Sequence, residues 1–301
     1  MSKAREHKKT QVNLEVGSRG SRLFQVFSPH RAAVAADPAW TPFRQTEADS
    51  PAPSFATLET IAATRPGPAW GVVCGRFAEA TGLTGTQFTA AIQSTPGQDL
   101  YLCNPTPELE GAYANLWVQG NTVHPRLLEA AAAFFKANGW DEAALQELQP
   151  SRVFSSSQYL VGNEKFWSGY LGFGRAALNR ARRKVPKRVQ AWMSQPLKDP
   201  RDPEHPVTYW PLIIERLIPV HLKDAGQALK TLRIAPTLGE RRLNPHLRRL
   251  REMKDIAHQT RSAWLASCWM HYRNSYFLNV LDRTWCNTHL PSLTRDSFDF
   301  H

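Results

Sequence analysis

Between residues 69 and 105 the chain spells out three regular elements with short joints, and this stretch restricts the fold more than any other. AWGVVCGRF (69–77) is a short apolar run that ends in a glycine and an arginine, the pattern of a buried strand. Thr84-Gly-Thr-Gln87 sets a hydroxyl and an amide three residues apart. At that spacing each side chain caps the other residue's backbone N–H at a helix start. Phe88, Ala91 and Ile92 supply the apolar face of a helix that ends near Pro96-Gly97. DLYLCNP (99–105) is a second buried strand, closed by Asn-Pro. Strand, helix and strand predict a βαβ unit whose strands form a parallel pair, and hence an α/β fold.

The flanking segments fit around that unit. SRLFQVF (21–27) reads as a first strand, and Pro29 to Pro53 as a loop. HPRLLEAAAAFFKANG (124–139) reads as a helix with Pro125 at its first position and Asn138-Gly139 as its stop. LWVQGNTVHP (116–125) then becomes a polar loop leading into it. SQYLVGNEKFWSGYLGF (157–173) predicts a short strand, a turn at Gly162-Asn163 and a helix with Phe166, Tyr170 and Phe173 on one face. TYWPLIIERLIPVHL (208–222) is apolar around Glu215-Arg216. Trp264, Cys268, Tyr272, Tyr276 and Val280 stand four apart, as on an amphipathic helix that packs against its own domain or a partner. The predicted organisation is a disordered basic tail over 1–20, an α/β domain over 21–228 and a helical extension over 229–301.

The chain has 37 Lys and Arg against 26 Asp and Glu, a net charge of +11 that favours anionic partners. The excess is concentrated in two runs. Residues 174–188 hold seven Arg or Lys and no acid, and 241–261 is basic with acids interspersed. These runs are solvated faces, a grip on nucleic acid, or, for 174–188, a contact with anionic lipid headgroups. None of the four cysteines is in a C-x-x-C pair, which argues against a zinc site. No run reaches the length of a membrane span, and no apolar stretch follows the charged first ten residues as in a secretory signal. The expected location is the cytoplasm.

In open α/β sheets ligands bind outside the carboxyl ends of the strands. That rule selects Gly75, Arg76 and Phe77 after one strand, and Asn104, Pro105, Thr106 and Glu108 after the next. It also selects Ser28, Pro29 and His30 after the first. Asp99 opens its strand and so belongs to the opposite rim. The helix start at Pro125 offers unpaired N–H groups to a phosphate, with His124 beside it. Trp117 is either a core side chain or a stacking wall, with Gln119 and Asn121 to bond hydroxyls. Glu215-Arg216 is either a structural ion pair, or a base and a phosphate clamp.

Five segments in their order resemble one group of proteins: WGVVCGRFAEATGLTG (70–85), DLYLCNP (99–105), NLWVQGNTVHP (115–125), SSSQYLVGNEKFWSGYL (155–171) and ERLIPVHL (215–222). They are similar to bacterial GT-A-type glycosyltransferase-like proteins associated with polysaccharide biosynthesis, over about residues 20–225. The resemblance implies a GT-A-like, Rossmann-type mixed sheet flanked by helices. It implies a nucleotide-sugar donor and a glycan or lipid-linked acceptor, and a contact of 174–188 with lipid headgroups would suit an acceptor of the second kind. The resemblance makes Trp117, Gln119 and His124 candidate sugar-nucleotide contacts; with Arg76, Asn104, Asn163 and Arg216 they form the candidate binding set, and Glu215 and Glu108 are the candidate bases. A diphosphate leaving group needs a divalent metal or cationic side chains. Tyr101 stands where a D-x-D motif would carry its second acid, so metal use and activity itself stay open and Arg76 and Arg216 are the cationic substitutes. The rival expectation is a nucleic-acid-binding protein that uses 174–188 and 241–261.

Overall fold

A computed structural model of the chain describes residues 21–27, 35–45, 53–155, 157, 159–199, 202–225 and 229–279. The expected tail over 1–20, the rim residues Ser28, Pro29 and His30, and Val280 lie outside them. Strands β1 (Arg22–Phe27) and β2 (Thr41–Arg44) come first, so a strand stands inside the stretch expected to be a loop. Helix α1 (Phe55–Ala63), β3 (Ala69–Cys74), α2 (Phe77–Thr81), α3 (Gly85–Ser94) and β4 (Leu100–Cys103) follow. Next come α4 (Pro107–Ala112), α5 (Leu116–Val123), α6 (Leu127–Asn138), β5 (Leu160–Asn163), α7 (Glu164–Lys184) and α8 (Lys187–Met193). A small hairpin of β6 (Leu197–Asp199) and β7 (Asp202–Val207) leads to α9 (Tyr209–Ile214) and α10 (Leu217–Asp224). Strand β8 (Thr231–Ile234) and helices α11 (Thr237–Arg242), α12 (Pro245–Thr260) and α13 (Ala263–Asn279) complete the described chain.

Six strands form one mixed sheet in the order β2-β1-β3-β5-β4-β8. Strands β1, β2 and β3 are mutually parallel, and β4 is parallel to β8. Strand β5 runs antiparallel to both β3 and β4 and lies between them. The βαβ unit is therefore present with its two strands in the same direction, but they are not neighbours as the sequence predicted. The inserted strand comes about 60 residues later, and no local pattern announces a pairing at that distance. The sheet also takes in β8, which lies beyond the boundary expected at 228.

Alternation assigns the two faces. Val72, Leu100, Leu102 and Leu160 point into one core with α1, α6, α7, α9 and α10. Val73, Tyr101, Cys103 and Val161 point into another with α2 and α3. The predicted capping box is formed: Thr84 Oγ1 accepts from the Gln87 N–H at 3.2 Å, and Gln87 Oε1 accepts from the Thr84 N–H at 2.9 Å. Helix α6 stops at Gly139, whose φ of 72° is the left-handed cap the sequence predicted.

A third core joins α4 and α5 to α12 and α13 through Tyr113, Leu116, Leu247, Leu250, Trp269, Tyr276 and Phe277. The buried side of α13 is thus Trp269, Tyr276 and Phe277. Of the predicted stripe, Tyr276 is buried and Trp264 is 72 % exposed. No helix among the described residues is long and apolar enough to cross a membrane.

Candidate functional site

A cleft of about 940 Å³ opens between α1, α7, α8 and α9. One wall starts where β2 ends. The Gln45 carboxamide, just past that strand, accepts from the Ser54 N–H at 3.4 Å, and Ser54 caps α1 by accepting from the Thr57 N–H at 3.1 Å. Ser54, Phe55 and Glu59 line this side. The opposite wall is the second half of α7, with Arg175, Leu178, Asn179 and Arg182. Arg175 Nε donates to Glu59 Oε1 at 2.7 Å, bridging the two walls. Thr208, Trp210, Ile214 and Glu215 close the cleft from α9, and the Trp210 indole N–H donates to Ser194 Oγ at 3.2 Å. The cleft thus lies beside the carboxyl end of β2, the rim where the open-sheet rule places ligands.

Behind Glu215 the structure is closed and polar. Arg216 is buried at the α9–α10 junction, where its Nε donates to the Leu116 carbonyl at 2.9 Å and its Nη1 to the Leu212 carbonyl at 2.7 Å. Its ion pair with Glu215 is long, 3.9 Å. The guanidinium lies so close to α5 that a Cβ at Gly120 would sit 2.5 Å from Arg216 Nη2 and 2.5 Å from Leu127 Cδ2. That explains a glycine inside a helix, where it lowers helix stability. Tyr170 is fully buried, and burial, with the nearby charge of Glu215, pushes its hydroxyl pKa up. Among the described residues its hydroxyl has no hydrogen-bond partner. The His221 ring beside it is 5.7 Å away between centroids, and neither of its nitrogens has one either. Burial lowers the His221 pKa, which favours the neutral imidazole.

The expected site residues do not share this cleft; Glu215 alone lines it. LWVQGNTVHP is not a loop. Its first eight residues form α5, capped by Asn115, whose side chain accepts from the Val118 N–H at 2.8 Å. Trp117 faces the core, edge-on to Phe135 at 5.4 Å. Gln119 is buried, and its Oε1 accepts from Arg216 Nη2 at 3.5 Å. His124 is the buried C-cap of α5, and its N–H donates to the Gly120 carbonyl at 2.8 Å. Helix α6 begins two residues after Pro125, and the Asn121 side chain accepts from the Leu128 N–H at 3.1 Å. The predicted phosphate position at that helix start is therefore taken up by the protein's own groups.

The other candidates are dispersed. Arg76 is an exposed residue before α2, across the sheet from the cleft, and its Nε donates to Glu79 Oε2 at 2.7 Å. Asn163 caps α7 by accepting from the Phe166 N–H at 3.0 Å, and donates to Asp99 Oδ1 at 2.8 Å. This is the rim opposite the carboxyl ends, where the sequence placed Asp99. Asn104 donates to Glu110 Oε1 at 3.0 Å within a buried network, and Glu108 is buried next to it on α4. In that network Arg233 Nε donates to Glu110 Oε1 at 2.8 Å, and Arg251 Nη1 lies 3.3 Å from Glu110 Oε2. Glu240 takes hydrogen bonds from both arginines. Burial works against the Glu240 carboxylate, but those bonds more than offset it and hold its pKa below the ordinary value.

The cleft residues Ser54, Arg175, Arg182, Thr208 and Trp210 were not singled out from sequence. The only signal for the two arginines was the basic run, which gave no hint that two of its members line a cleft. Among the described residues no group of three or more His, Cys, Asp or Glu is placed to hold a metal ion. The second basic run is also partly internal, since Arg251 lies in the Glu110 network and Lys254 is fully buried. Comparison with protein-family models, curated proteins and solved structures gives no match.

Proposed function

We propose that the protein is a glycosyltransferase of the GT-A-like kind, and that the cleft at Glu215 takes a nucleotide sugar and passes the sugar to a glycan or lipid-linked acceptor. The observation that carries this reading is the make-up of that cleft. Two carboxylates, Glu59 and Glu215, two guanidiniums, one of them paired with Glu59, and an indole face one space of about 940 Å³ beside a mixed, mainly parallel sheet. That is room for a nucleoside diphosphate with a sugar attached.

Each group has a role in transfer. Arg182 and Arg175 neutralise the diphosphate as it leaves, a charge that grows in the transition state. Trp210 offers a flat apolar surface to the sugar or the base. Ser54, Asn179 and Thr208 supply directional partners for hydroxyls. Glu215 takes the proton from the acceptor hydroxyl as the new glycosidic bond forms.

The test is calorimetric titration with uridine, guanosine, adenosine and thymidine diphosphate sugars. One of them binds the wild type. Arg182→Ala weakens that binding at least about tenfold, the loss of one charge-assisted contact. Glu215→Gln binds the same donor and transfers nothing to acceptor glycans. If no donor binds, or if Arg182→Ala and Glu215→Gln both match the wild type, the reading is wrong.

A further inference from the structure

The end of α7 and the start of α8 form an exposed cationic face outside the cleft. Arg180, Arg183, Lys184, Lys187 and Arg188 are all exposed. The turn between the helices is fixed from below. Ala181 and Val185 are buried, and the Gln190 side-chain amide donates to the Arg182 and Val185 carbonyls at 2.9 and 2.7 Å. The charges are therefore held outward by a rigid turn. No Asp or Glu occurs from 165 to 198, so this part of the chain brings no counter-charge of its own. The only ion pair of the run among the described residues is that of Arg175 with Glu59, inside the cleft.

Helix stability accounts for part of the pattern only. Arg183 and Lys184 sit in the last turn of α7, where cations are favoured by the helix dipole. Lys187 and Arg188 sit in the first turn of α8, where the same dipole disfavours them. A solvated cation there costs stability, and the face keeps two.

We infer that this face docks the protein on an anionic lipid bilayer. A cluster of four to eight cations on one outward surface suits headgroups, which need charge density and no fixed geometry. Nucleic acid fits less well. The run's aromatic neighbour Trp192 has the Arg126 guanidinium over its ring at 4.1 Å and Tyr209 at 4.8 Å, which makes it a poor platform for a base on this face. The second basic run, which would extend a nucleic-acid track, has two of its cations inside the protein. The inference stands whether or not the cleft transfers a sugar.

Co-sedimentation of the full chain with vesicles tests it. The protein pellets with phosphatidylcholine vesicles that contain phosphatidylserine and not with phosphatidylcholine alone, and added salt releases it. A variant with Arg183→Gln, Lys184→Gln, Lys187→Gln and Arg188→Gln melts like the wild type and loses about fivefold in vesicle affinity per charge removed. A variant with Arg248→Gln and Arg249→Gln, exposed on α12, keeps the wild-type affinity. Equal binding by the fourfold variant overturns the inference. So does absence of binding to the anionic vesicles, or tighter binding of an RNA or DNA oligomer than of vesicles at the same salt.

Discussion

Glu110 and Glu215 are each set among arginines near one end of the same sheet, yet they are used in opposite ways. Glu110 is closed in. Its side chain is 0 % exposed and faces Arg233, Arg251 and the Asn104 amide within hydrogen-bonding reach. Glu215 lines the cleft. Its side chain is 17 % exposed, its arginine neighbour is 3.9 Å away, and that arginine spends its hydrogen bonds on the Leu116 and Leu212 carbonyls. A carboxylate whose oxygens are matched by buried donors serves to lock elements together, here α4, β8 and α12. A carboxylate held part-buried at a cleft wall faces the space that a ligand would fill.

The largest expected effect breaks the closed side. Glu110→Gln leaves two part-buried guanidiniums with Glu240 as their remaining carboxylate; because burial also works against the Glu110 carboxylate and raises its pKa, the cost should be about 3 kcal/mol, the lower end of the range for removing one partner of a buried ion pair. Urea unfolding followed by far-UV circular dichroism measures it. A loss below about 1 kcal/mol would mean that the network is solvated and that the contrast with Glu215 is false.

Next in size is a pH effect in the same region. Lys254 is fully buried, its ammonium donates to the Tyr113 carbonyl at 3.0 Å and lies 4.6 Å from the Phe154 ring, and burial lowers its pKa to about 8. The unfolded chain has this amine at its ordinary, higher value. Between the two the unfolded state holds more protons than the folded one, so stability rises with pH from about 8 upward. Lys254→Met should flatten that rise in urea midpoints taken at successive pH values. A slope that persists in the variant would assign the effect to another group.

The contrast also shows what a sequence can disclose. The strand–helix–strand signature over 69–105 was legible because capping and alternation are local, and the Thr84–Gln87 box formed as spelled. The insertion of β5 between β3 and β4 was not, since it depends on pairing across the chain. Asn104, Gln119 and Arg216 look like ligand contacts in a sequence, and the fold engages their side chains with groups of its own. Glu215 was visible as a charge in an apolar segment. Its cleft was not, because the walls come from residues 53–59, 175–182, 190–194 and 208–215, which only the packing of helices on the sheet brings together.

On the cleft side, Glu215→Gln should change stability by less than about 1 kcal/mol, as a substitution at a partly exposed surface group does. Combined with a loss of sugar transfer, that would separate function from folding at this position. A destabilisation as large as that of Glu110→Gln would show that Glu215 is a second lock.

The smallest expected effect lies where the cleft ends. The Tyr170 hydroxyl is buried close to Glu215 and has no hydrogen-bond partner among the described residues, so folding strips its water and returns nothing. Tyr170→Phe removes that hydroxyl and keeps the ring that packs against Phe55 and Phe166. The variant should therefore be as stable as the wild type or more stable by up to about 1 kcal/mol. A loss of about 1 kcal/mol or more would show that the hydroxyl is bonded in solution, to Glu215 or to a water behind it. The polar chamber of Tyr170 and His221 would then belong to the cleft, and Glu215 would stand inside the site with a partner on its far side.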